Sequence, residues 1–294
     1  MTTEGFLGRA FPILFDGGMG TMLAAAGAEM GGPCNLSNPS AVLAVHLAYA
    51  EAGCDALTTN TFAMNRLYAD TNRPGLDLAA VHREGVRLAR EAAGRDRLVL
   101  GDIGPTGRIL EPYGDCPETL AFDAFREQAE RLAAEGVDAL LVETMMDLGE
   151  ALCALQACKA VSNLPVLVTL SFQTADRGGR TMMGNAASDS AKAIEIASGA
   201  AVGLNCGELD PFQAAQIVAS MKAATSLPII AQPNAGLPKM HDGRAVYDLE
   251  PSKFAEGIVS CLAAGARIVG GCCGTTPAHI RAARAVLDAH PTKY

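Results

Sequence analysis

The sequence lacks the features that would place it in a membrane or on a nucleic acid. No stretch approaches 18 consecutive apolar residues, the length that a membrane-spanning helix requires. The first residues lack the basic segment and apolar core of a secretory signal peptide. The net charge is -9, whereas binding to phosphates requires a clustered excess of Lys and Arg. The sequence therefore predicts a soluble, cytoplasmic protein whose partners are small molecules or proteins.

The nine cysteines include no C-x-x-C pair. An odd number of cysteines without an export signal argues against a disulfide framework and favours free thiols or metal ligands. Four of them lie in Ala-rich, helix-like surroundings, where a thiol packs as a small apolar side chain: Cys54, Cys153, Cys158 and Cys261. Cys34 and Cys116 lie in loop-like segments and have no evident partner. The cysteines left as candidate ligands are Cys206, Cys272 and Cys273.

Eight short apolar runs alternate with Ala-rich, helix-like stretches, a pattern typical of a parallel sheet. The runs begin near Ile13, Asp55, Leu98, Asp138, Pro165, Ala201, Pro228 and Arg267. Each interval is long enough for a strand, a helix and two loops. We predict an α/β fold, a single-domain (β/α)8 TIM barrel over residues 1–294. An open doubly wound sheet is the alternative, which the eight units and the lack of a linker disfavour.

In such barrels the chemistry takes place at the carboxyl ends of the strands. The segments at these ends read DGGMGT, TTNTF, GDIGPTG, VETMMD, TLSFQ, LNCG, QPNAG and GGCCGTT. None of the six lysines lies there, which argues against an aldolase that forms a Schiff base. None of the five histidines lies there either, which argues against a histidine metal site or histidine-driven catalysis.

The three candidate cysteines lie at two of these strand ends. Cys206 ends the sixth run, and Cys272 and Cys273 end the eighth. These strands are next-but-one neighbours in a closed barrel, so the three sulfurs can converge. Adjacent residues of a regular strand point to opposite faces, so the pair requires a sharp bend, which the flanking glycines permit.

Three thiolates suit zinc, and three protein ligands with one open position are typical of a catalytic metal site. A substrate thiol that enters the open position loses its proton, because zinc lowers the pKa of its ligands. The resulting thiolate can attack a methyl group, so the cysteines indicate methyl transfer to sulfur. The alternative is that GGCCGTT is a glycine-rich turn with two buried thiols or a phosphate-binding loop.

Two acidic residues lie at the same rim, Asp16 after the first run and Glu143 after the fourth. Neither has a basic neighbour in the sequence, so both could bind an ammonium group. The alternative is that they only order a turn and a loop. The backbone N–H groups that follow Asp16, including those of Gly17 and Gly18, could bind a carboxylate. An amino acid would satisfy both features.

The motifs DGGMGT, TTNTF, GPTG, VET, GLNC, PNAGLP and GGCCGTTP occur in one order over nearly the whole chain. In this they resemble the homocysteine S-methyltransferase family, and within it the homocysteine-binding module of cobalamin-dependent methionine synthase. The resemblance implies a barrel whose zinc ligands and catalytic residues are Cys206, Cys272 and Cys273, with the homocysteine sulfur in the remaining position.

The resemblance also implies roles for the residues around the zinc. Asp16 and Glu143 are similar to residues that hold the homocysteine amino group. The amides around Gly17 and Gly18 are similar to those that hold its carboxylate. Asn234 matches a position that can approach the zinc when substrate is absent.

The methyl donor is less well specified. Family members that use betaine surround its quaternary ammonium with aromatic rings, and this chain has no Trp and five Tyr. DGGMGT and PNAGLP resemble methionine synthase rather than the members that use S-methylmethionine. No segment resembles the folate or cobalamin modules of methionine synthase. The resemblance thus implies a stand-alone module that receives its methyl group from methylcobalamin, a cobalamin cofactor supplied by a separate corrinoid protein.

Three alternatives stay open at this point. The donor could be betaine or S-methylmethionine. The protein could be a demethylase that passes a methyl group from a small methylated compound to another acceptor. A more distant alternative is a non-catalytic sensor that binds zinc or a thiol.

Overall fold

The computed structural model describes residues 12–241 and 244–289. The predicted single domain therefore includes short segments, residues 1–11 and 290–294 among them, that lie outside the described residues. The central strands are β1 (Ile13–Leu14), β2 (Ala56–Thr58), β3 (Leu98–Ile103), β4 (Ala139–Met145), β5 (Val166–Leu170), β6 (Ala201–Asn205), β7 (Ile229–Gln232) and β8 (Ala266–Val269). Each begins within one residue of the start predicted from the sequence.

The eight strands form one parallel sheet in which neighbours in the chain are neighbours in space. β1 pairs with β8, and an isolated parallel bridge between Phe15 and Ala56 joins β1 to β2. The Asp55 N–H also donates to the Leu14 carbonyl at 2.6 Å. The sheet is thus closed, which confirms the predicted TIM barrel and excludes the open doubly wound sheet.

Helices follow the strands and cover the outside of the barrel. They are α1 (Met19–Ala25), α2 (Cys34–Ser37), α3 (Pro39–Glu51), α4 (Arg66–Asn72), α5 (Leu78–Ala93), α6 (Glu118–Ala134), α7 (Leu148–Val161), α8 (Ala187–Ile196), α9 (Pro211–Lys222), α10 (Pro251–Ala263) and α11 (Pro277–Ala289). The Asn38 side chain caps α3 by accepting from the Ala41 N–H at 3.2 Å, as the Asn-Pro pair predicts. Within the described ranges, no helix is both long and apolar enough to span a bilayer.

Two loops after barrel strands carry short antiparallel hairpins. In the loop after β5, Phe172–Thr174 pairs with Arg180–Thr181. In the loop after β7, Lys239–His241 pairs with Arg244–Val246. Both hairpins are additions to the carboxyl-end side of the barrel, where a site would lie.

The barrel interior is apolar at one end and polar at the other. Its apolar cluster consists of Ile13, Phe15, Ala56, Leu98, Leu100, Ala139, Leu141, Leu167, Ala201, Ile230 and Ile268. Because side chains alternate along a strand, the inward positions nearer the carboxyl ends follow at even spacing. They form a polar layer made of Thr58, Asp102, Glu143, Thr169, Asn205 and Gln232. This polar layer is the floor of the candidate site.

The larger core lies between the sheet and the helices. It includes the four cysteines predicted to pack as apolar side chains, and all four are buried. Cys34 and Cys116, for which the sequence indicated no role, are buried in the same core.

His46 on α3 is fully buried, and in the described part of the chain neither ring nitrogen has a hydrogen-bond partner. Burial lowers the pKa of His46 to about 4. In the unfolded chain a histidine has a pKa near 6.5, so below that pH the unfolded state binds the additional proton. The contribution of neutral His46 to stability is complete above pH 6.5 and is lost as the pH falls toward 4.

The substitution His46→Leu is expected to remove this pH dependence. Between pH 6.5 and 4 the wild-type protein should lose about 3 kcal/mol more of its free energy of unfolding than the variant. Urea unfolding at several pH values measures the difference. Leu47→Gln, at an exposed neighbour on the same helix, should keep the wild-type dependence. Equal losses in wild type and His46→Leu would contradict the assignment.

Candidate metal and substrate site

The three candidate cysteines come together at the mouth of the barrel. Cys206 follows β6, and Cys272 and Cys273 follow β8. Their sulfurs all lie within 4.8 Å of one another, and the Cys206 and Cys273 sulfurs are 3.8 Å apart. All three residues are partly exposed, whereas the other six cysteines are buried. Within the described residues this is the one group of three potential His, Cys, Asp or Glu ligands.

The backbone at both strand ends departs from regular extended geometry. Cys206 has φ of 55° and Gly207 has φ of 74°, so the chain turns immediately after β6. A left-handed conformation is uncommon for a residue other than glycine and often occurs at functional sites. Gly274, directly after the cysteine pair, also has a positive φ of 77°. These turns let sulfurs from two strands face one point.

The loop after β7 holds the cysteine pair in place. The Cys272 N–H donates to the Pro233 carbonyl at 3.0 Å, and the Ala235 N–H donates to the Cys273 carbonyl at 3.0 Å. Gly271 is required for close packing rather than for a left-handed backbone, because an added Cβ would lie 2.4 Å from the Thr275 hydroxyl.

The cysteine geometry fits a tetrahedral metal ion. Zinc–sulfur bonds of about 2.3 Å in a tetrahedron place two sulfurs about 3.8 Å apart. The Cys206–Cys273 separation of 3.8 Å agrees with this spacing. Asn234 lies in the adjacent loop and is fully buried, with its Nδ2 donating to the Gly207 carbonyl at 2.9 Å. Its Oδ1 is buried and has no partner among the described residues, so an acceptor oxygen stays available there.

In the metal-free cluster the protons are unevenly distributed. Hydrogen bonds from Cys206 and Cys272 lower the pKa of Cys273 to about 3. Hydrogen bonds to Cys206 and Cys273, together with burial, raise the pKa of Cys272 well above its usual value. A hydrogen bond with Cys272 lowers the pKa of Cys206. The hydrogen bond with Cys273 and burial together have a larger effect and raise the pKa of Cys206 to about 12. The cluster therefore holds one thiolate and two thiols near pH 7.

The two acids predicted from the sequence lie at the same mouth. The Asp16 carboxylate is 3% exposed and accepts from the Thr58 N–H at 2.8 Å and the Thr58 hydroxyl at 2.9 Å. Burial raises the pKa of Asp16 to about 7. Burial, followed by the charge of Asp16, raises the pKa of Glu143 to about 7. Neither acid forms an ion pair with a basic side chain of the described ranges.

Asn205, the residue before Cys206, connects the acids to the cysteines. Its Oδ1 accepts from the Thr144 N–H and the Thr169 hydroxyl, each at 2.8 Å. Its Nδ2 donates to Glu143 Oε2 at 2.8 Å and lies 3.8 Å from Cys272 Sγ. The sequence motifs did not assign a role to Asn205. The available signal was a polar residue at the buried end of a strand, next to a candidate ligand.

Asp102 on β3 is a third acid that we did not select from the sequence. It is 4% exposed and faces the barrel interior beside Glu143, because it pairs with Leu141, two residues before Glu143 on the adjacent strand. Its Oδ1 is buried and has no hydrogen-bond partner among the described residues. Burial, followed by the charge of Glu143, raises the pKa of Asp102 well above its usual value. The signal in the sequence was an acidic residue within the apolar run LVLGDI.

The turn after Asp16 packs closely against the cysteine loop. An added Cβ on Gly18 would lie 2.6 Å from the Cys272 carbonyl oxygen, so only glycine fits there. The Gly18 N–H donates to the Thr275 hydroxyl at 3.0 Å. One of the two amides predicted to bind a carboxylate is thus already hydrogen-bonded within the protein. The Tyr49 hydroxyl holds the cysteine loop by donating to the Thr275 carbonyl at 2.9 Å.

Apolar side chains surround the mouth. Nine of the exposed large apolar residues lie in loops that follow barrel strands: Met30, Phe62, Ile109, Tyr113, Met182, Met183, Leu237, Met240 and Val246. The rim of the barrel therefore exposes several large apolar side chains, while the floor below it is polar and partly acidic.

Comparison with known sequences identifies the family of the chain. The sequence model of the family described as homocysteine S-methyltransferase matches residues 13–287. The chain is 32% identical over 297 residues to methionine synthase of Mycobacterium tuberculosis (strain ATCC 25618 / H37Rv), covering 92% of this chain and 24% of that protein. It is 32% identical over 269 residues to methionine synthase of Mycobacterium leprae (strain TN), covering 86% and 22%. The chain spans about a quarter of the length of these relatives.

Comparison with solved structures leads to the same family. The metallated form of the homocysteine methyltransferase MmuM from Escherichia coli has a TM-score of 0.79 and 25% identity, covering 96% of this chain and 98% of that chain. The oxidized form has a TM-score of 0.77 and 26% identity, covering 95% and 96%. The family match extends over well more than half of the sequence. The chain therefore belongs to the homocysteine S-methyltransferase family.

Proposed function

We propose that residues 1–294 act as one domain that transfers a methyl group to the sulfur of homocysteine and forms methionine, with zinc held by Cys206, Cys272 and Cys273. The observation that carries the proposal is the convergence of three partly exposed sulfurs within 4.8 Å at the mouth of a barrel of this family. The acids Asp16 and Glu143, which have no basic partner in the described part of the chain, support an amino acid as the substrate.

The cysteines supply a negatively charged, three-sided ligand set and leave one position open to the substrate. A bound zinc ion would supply the positive charge that keeps the homocysteine sulfur ionised near neutral pH. The Asn205 amide contacts the Cys272 sulfur, and the loop that carries Asn234 forms hydrogen bonds with the backbone of both Cys272 and Cys273. These contacts orient the ligands before the substrate enters.

The acids and the glycine turn are proposed to bind the rest of homocysteine. Asp16 and Glu143 take the ammonium group, which restores the charged forms that burial disfavours. The amides around Gly17 and Gly18 take the carboxylate. The Gly18 N–H would then exchange its bond to the Thr275 hydroxyl for one to the substrate.

We propose methylcobalamin, carried by a separate corrinoid protein in the cytoplasm, as the methyl donor. The apolar rim supports a bulky donor with a large apolar surface. The lack of Trp and the five Tyr argue against an aromatic cage for betaine. The relatives named methionine synthase favour this donor over S-methylmethionine.

Zinc binding to the metal-free protein is expected to release about two protons per ion near pH 7, because Cys206 and Cys272 hold protons that a metal displaces. A pH indicator in weakly buffered solution measures the release. Cys206→Ala should bind zinc more weakly and release about one proton fewer. Cys116→Ala, at a buried thiol away from the site, should behave as wild type. Proton release that does not depend on Cys206 would contradict the ligand assignment.

A turnover assay tests the reaction and the donor together. The zinc-loaded protein is expected to form methionine from homocysteine and methylcobalamin, to lose this activity with a chelator and to regain it with added zinc. Cys206→Ala should be inactive.

The same assay separates the alternatives. Turnover with betaine or S-methylmethionine but not with methylcobalamin would overturn the proposed donor. Methyl transfer to a different thiol, with none to homocysteine, would overturn the proposed acceptor. Homocysteine binding without turnover from any donor would favour a sensor.

A further inference from the structure

The Asp102–Glu143 pair has a role that the reaction described so far does not use. Asp102 and Glu143 face the barrel interior from adjacent strands, since Asp102 pairs with Leu141, two residues before Glu143. Two neighbouring carboxylates that lack a basic partner in a site of low solvent exposure do not both ionise, so the pair holds one proton. Asp102 lies deeper than Glu143: it is 4% exposed on β3, whereas Glu143 is partly exposed at the mouth. The more buried acid keeps the proton, and Asp102 is therefore the donor to Glu143.

Hydrogen bonds fix the Asp102 backbone independently of Glu143. Its N–H donates to the Thr59 hydroxyl at 3.0 Å. Its carbonyl accepts from the Thr61 hydroxyl at 2.8 Å and from Gln128 Nε2 at 3.2 Å. All three partners are buried. Asp102 is thus a donor in a fixed position, tied to the loop after β2 and to α6.

Glu143 is held from two sides. Asp102 lies beside it on the adjacent strand β3, and Asn205 Nδ2 donates to its Oε2 at 2.8 Å from β6. The next residue, Thr144, has φ of 59°, an uncommon conformation that its N–H bond to Asn205 Oδ1 helps to maintain. The orientation of the Glu143 carboxylate is therefore set by its neighbours and not by solvent.

The charges of the three neighbouring acids indicate what the proton on Asp102 does. Asp16, Asp102 and Glu143 lie close enough for their charges to act on one another, and none of the three has a basic partner among the described residues. If all three were ionised, the charges of Asp102 and Glu143 would stand side by side on adjacent strands. The shared proton removes one charge, converts the contact to an attraction and leaves Glu143 charged for a cation.

We propose that Asp102 is a positioning residue for the substrate amino group: as a neutral carboxylic acid it donates a hydrogen bond to Glu143 and keeps that carboxylate in place for an ammonium. This inference rests on the proposed binding of homocysteine. It makes the site selective for thiols that carry an α-amino group.

The test compares homocysteine with 4-mercaptobutanoate, which lacks only the amino group. Calorimetry on the zinc-loaded protein gives a Kd for each ligand without a methyl donor. Asp102→Ala is expected to raise the Kd of homocysteine about tenfold or more and to leave that of 4-mercaptobutanoate nearly unchanged. Asp102→Asn, whose amide can donate to Glu143, should restore the affinity for homocysteine. In turnover, Asp102→Ala should raise KM and leave kcat nearly unchanged.

Two variants control for effects on folding. Asp102→Leu keeps the branching and the number of heavy atoms of the side chain but cannot donate, so it replaces Asp102→Ala if the latter does not fold. Glu150→Gln changes an equally buried acid on α7 that bonds Thr106 and does not touch Glu143, and it should bind both ligands as wild type does. Thermal unfolding of each variant establishes that it is folded.

The outcomes are distinct. Loss of both ligands to the same extent would make Asp102 merely structural and overturn the inference. Failure of Asp102→Asn to restore homocysteine binding would also overturn it. A wild-type, zinc-loaded protein that binds neither ligand would overturn the proposed function itself. If the wild-type protein prefers homocysteine but Asp102→Ala does not weaken homocysteine binding selectively, only the role of Asp102 would be overturned.

Discussion

The pairing of β1 with both β8 and β2 closes the sheet, and the site depends on that closure. A closed parallel barrel brings all eight carboxyl ends to one rim and turns every second side chain inward. Along several strands, an apolar inward residue is followed two positions later by a polar inward residue, for example Leu100 by Asp102 and Leu141 by Glu143. The apolar cluster stabilises the barrel, and the polar layer above it forms a floor of low solvent exposure.

Asn205 makes that floor a single unit. An amide has one acceptor oxygen and two N–H donors, and here they bond residues from β4 and β5 and approach a sulfur of the cysteine loop. The acid that would bind the amino end of the substrate is therefore one hydrogen-bonded residue away from a candidate metal ligand.

The protonation of the site reflects the cations that it is suited to bind. Burial without a basic partner raises the pKa values of Asp16 and Glu143 to about 7, and contact among the sulfurs leaves two of the three thiols protonated. A divalent ion bound by the sulfurs would stabilise their thiolate forms. An ammonium group bound by Asp16 and Glu143 would stabilise their carboxylate forms. Desolvated groups of this kind are typical of binding and catalytic sites and uncommon in a purely structural core.

Local pattern was sufficient for the architecture. Apolar runs and their spacing predicted eight strands whose starts are correct to within one residue, because a strand buried on both faces needs a continuous apolar segment. The same pattern placed Cys206 and the Cys272–Cys273 pair at strand ends. Cap sequences such as Asn38-Pro39 were also readable, because their hydrogen bonds join residues only a few positions apart.

Contacts between distant parts of the chain decided the rest. Asn205 bonds Glu143 across 62 positions and reaches Cys272 across 67, and the Gly18 amide is bonded by Thr275 across 257. No local pattern marks such pairs, since each depends on how the strands align when the barrel closes. The sequence by itself determined the barrel, the three sulfurs and the two acids at its mouth. Only the tertiary structure decided that Asp102 lies buried beside Glu143 and that Asn205 joins Glu143 to the cysteines, because burial and proximity arise only when the sheet is closed.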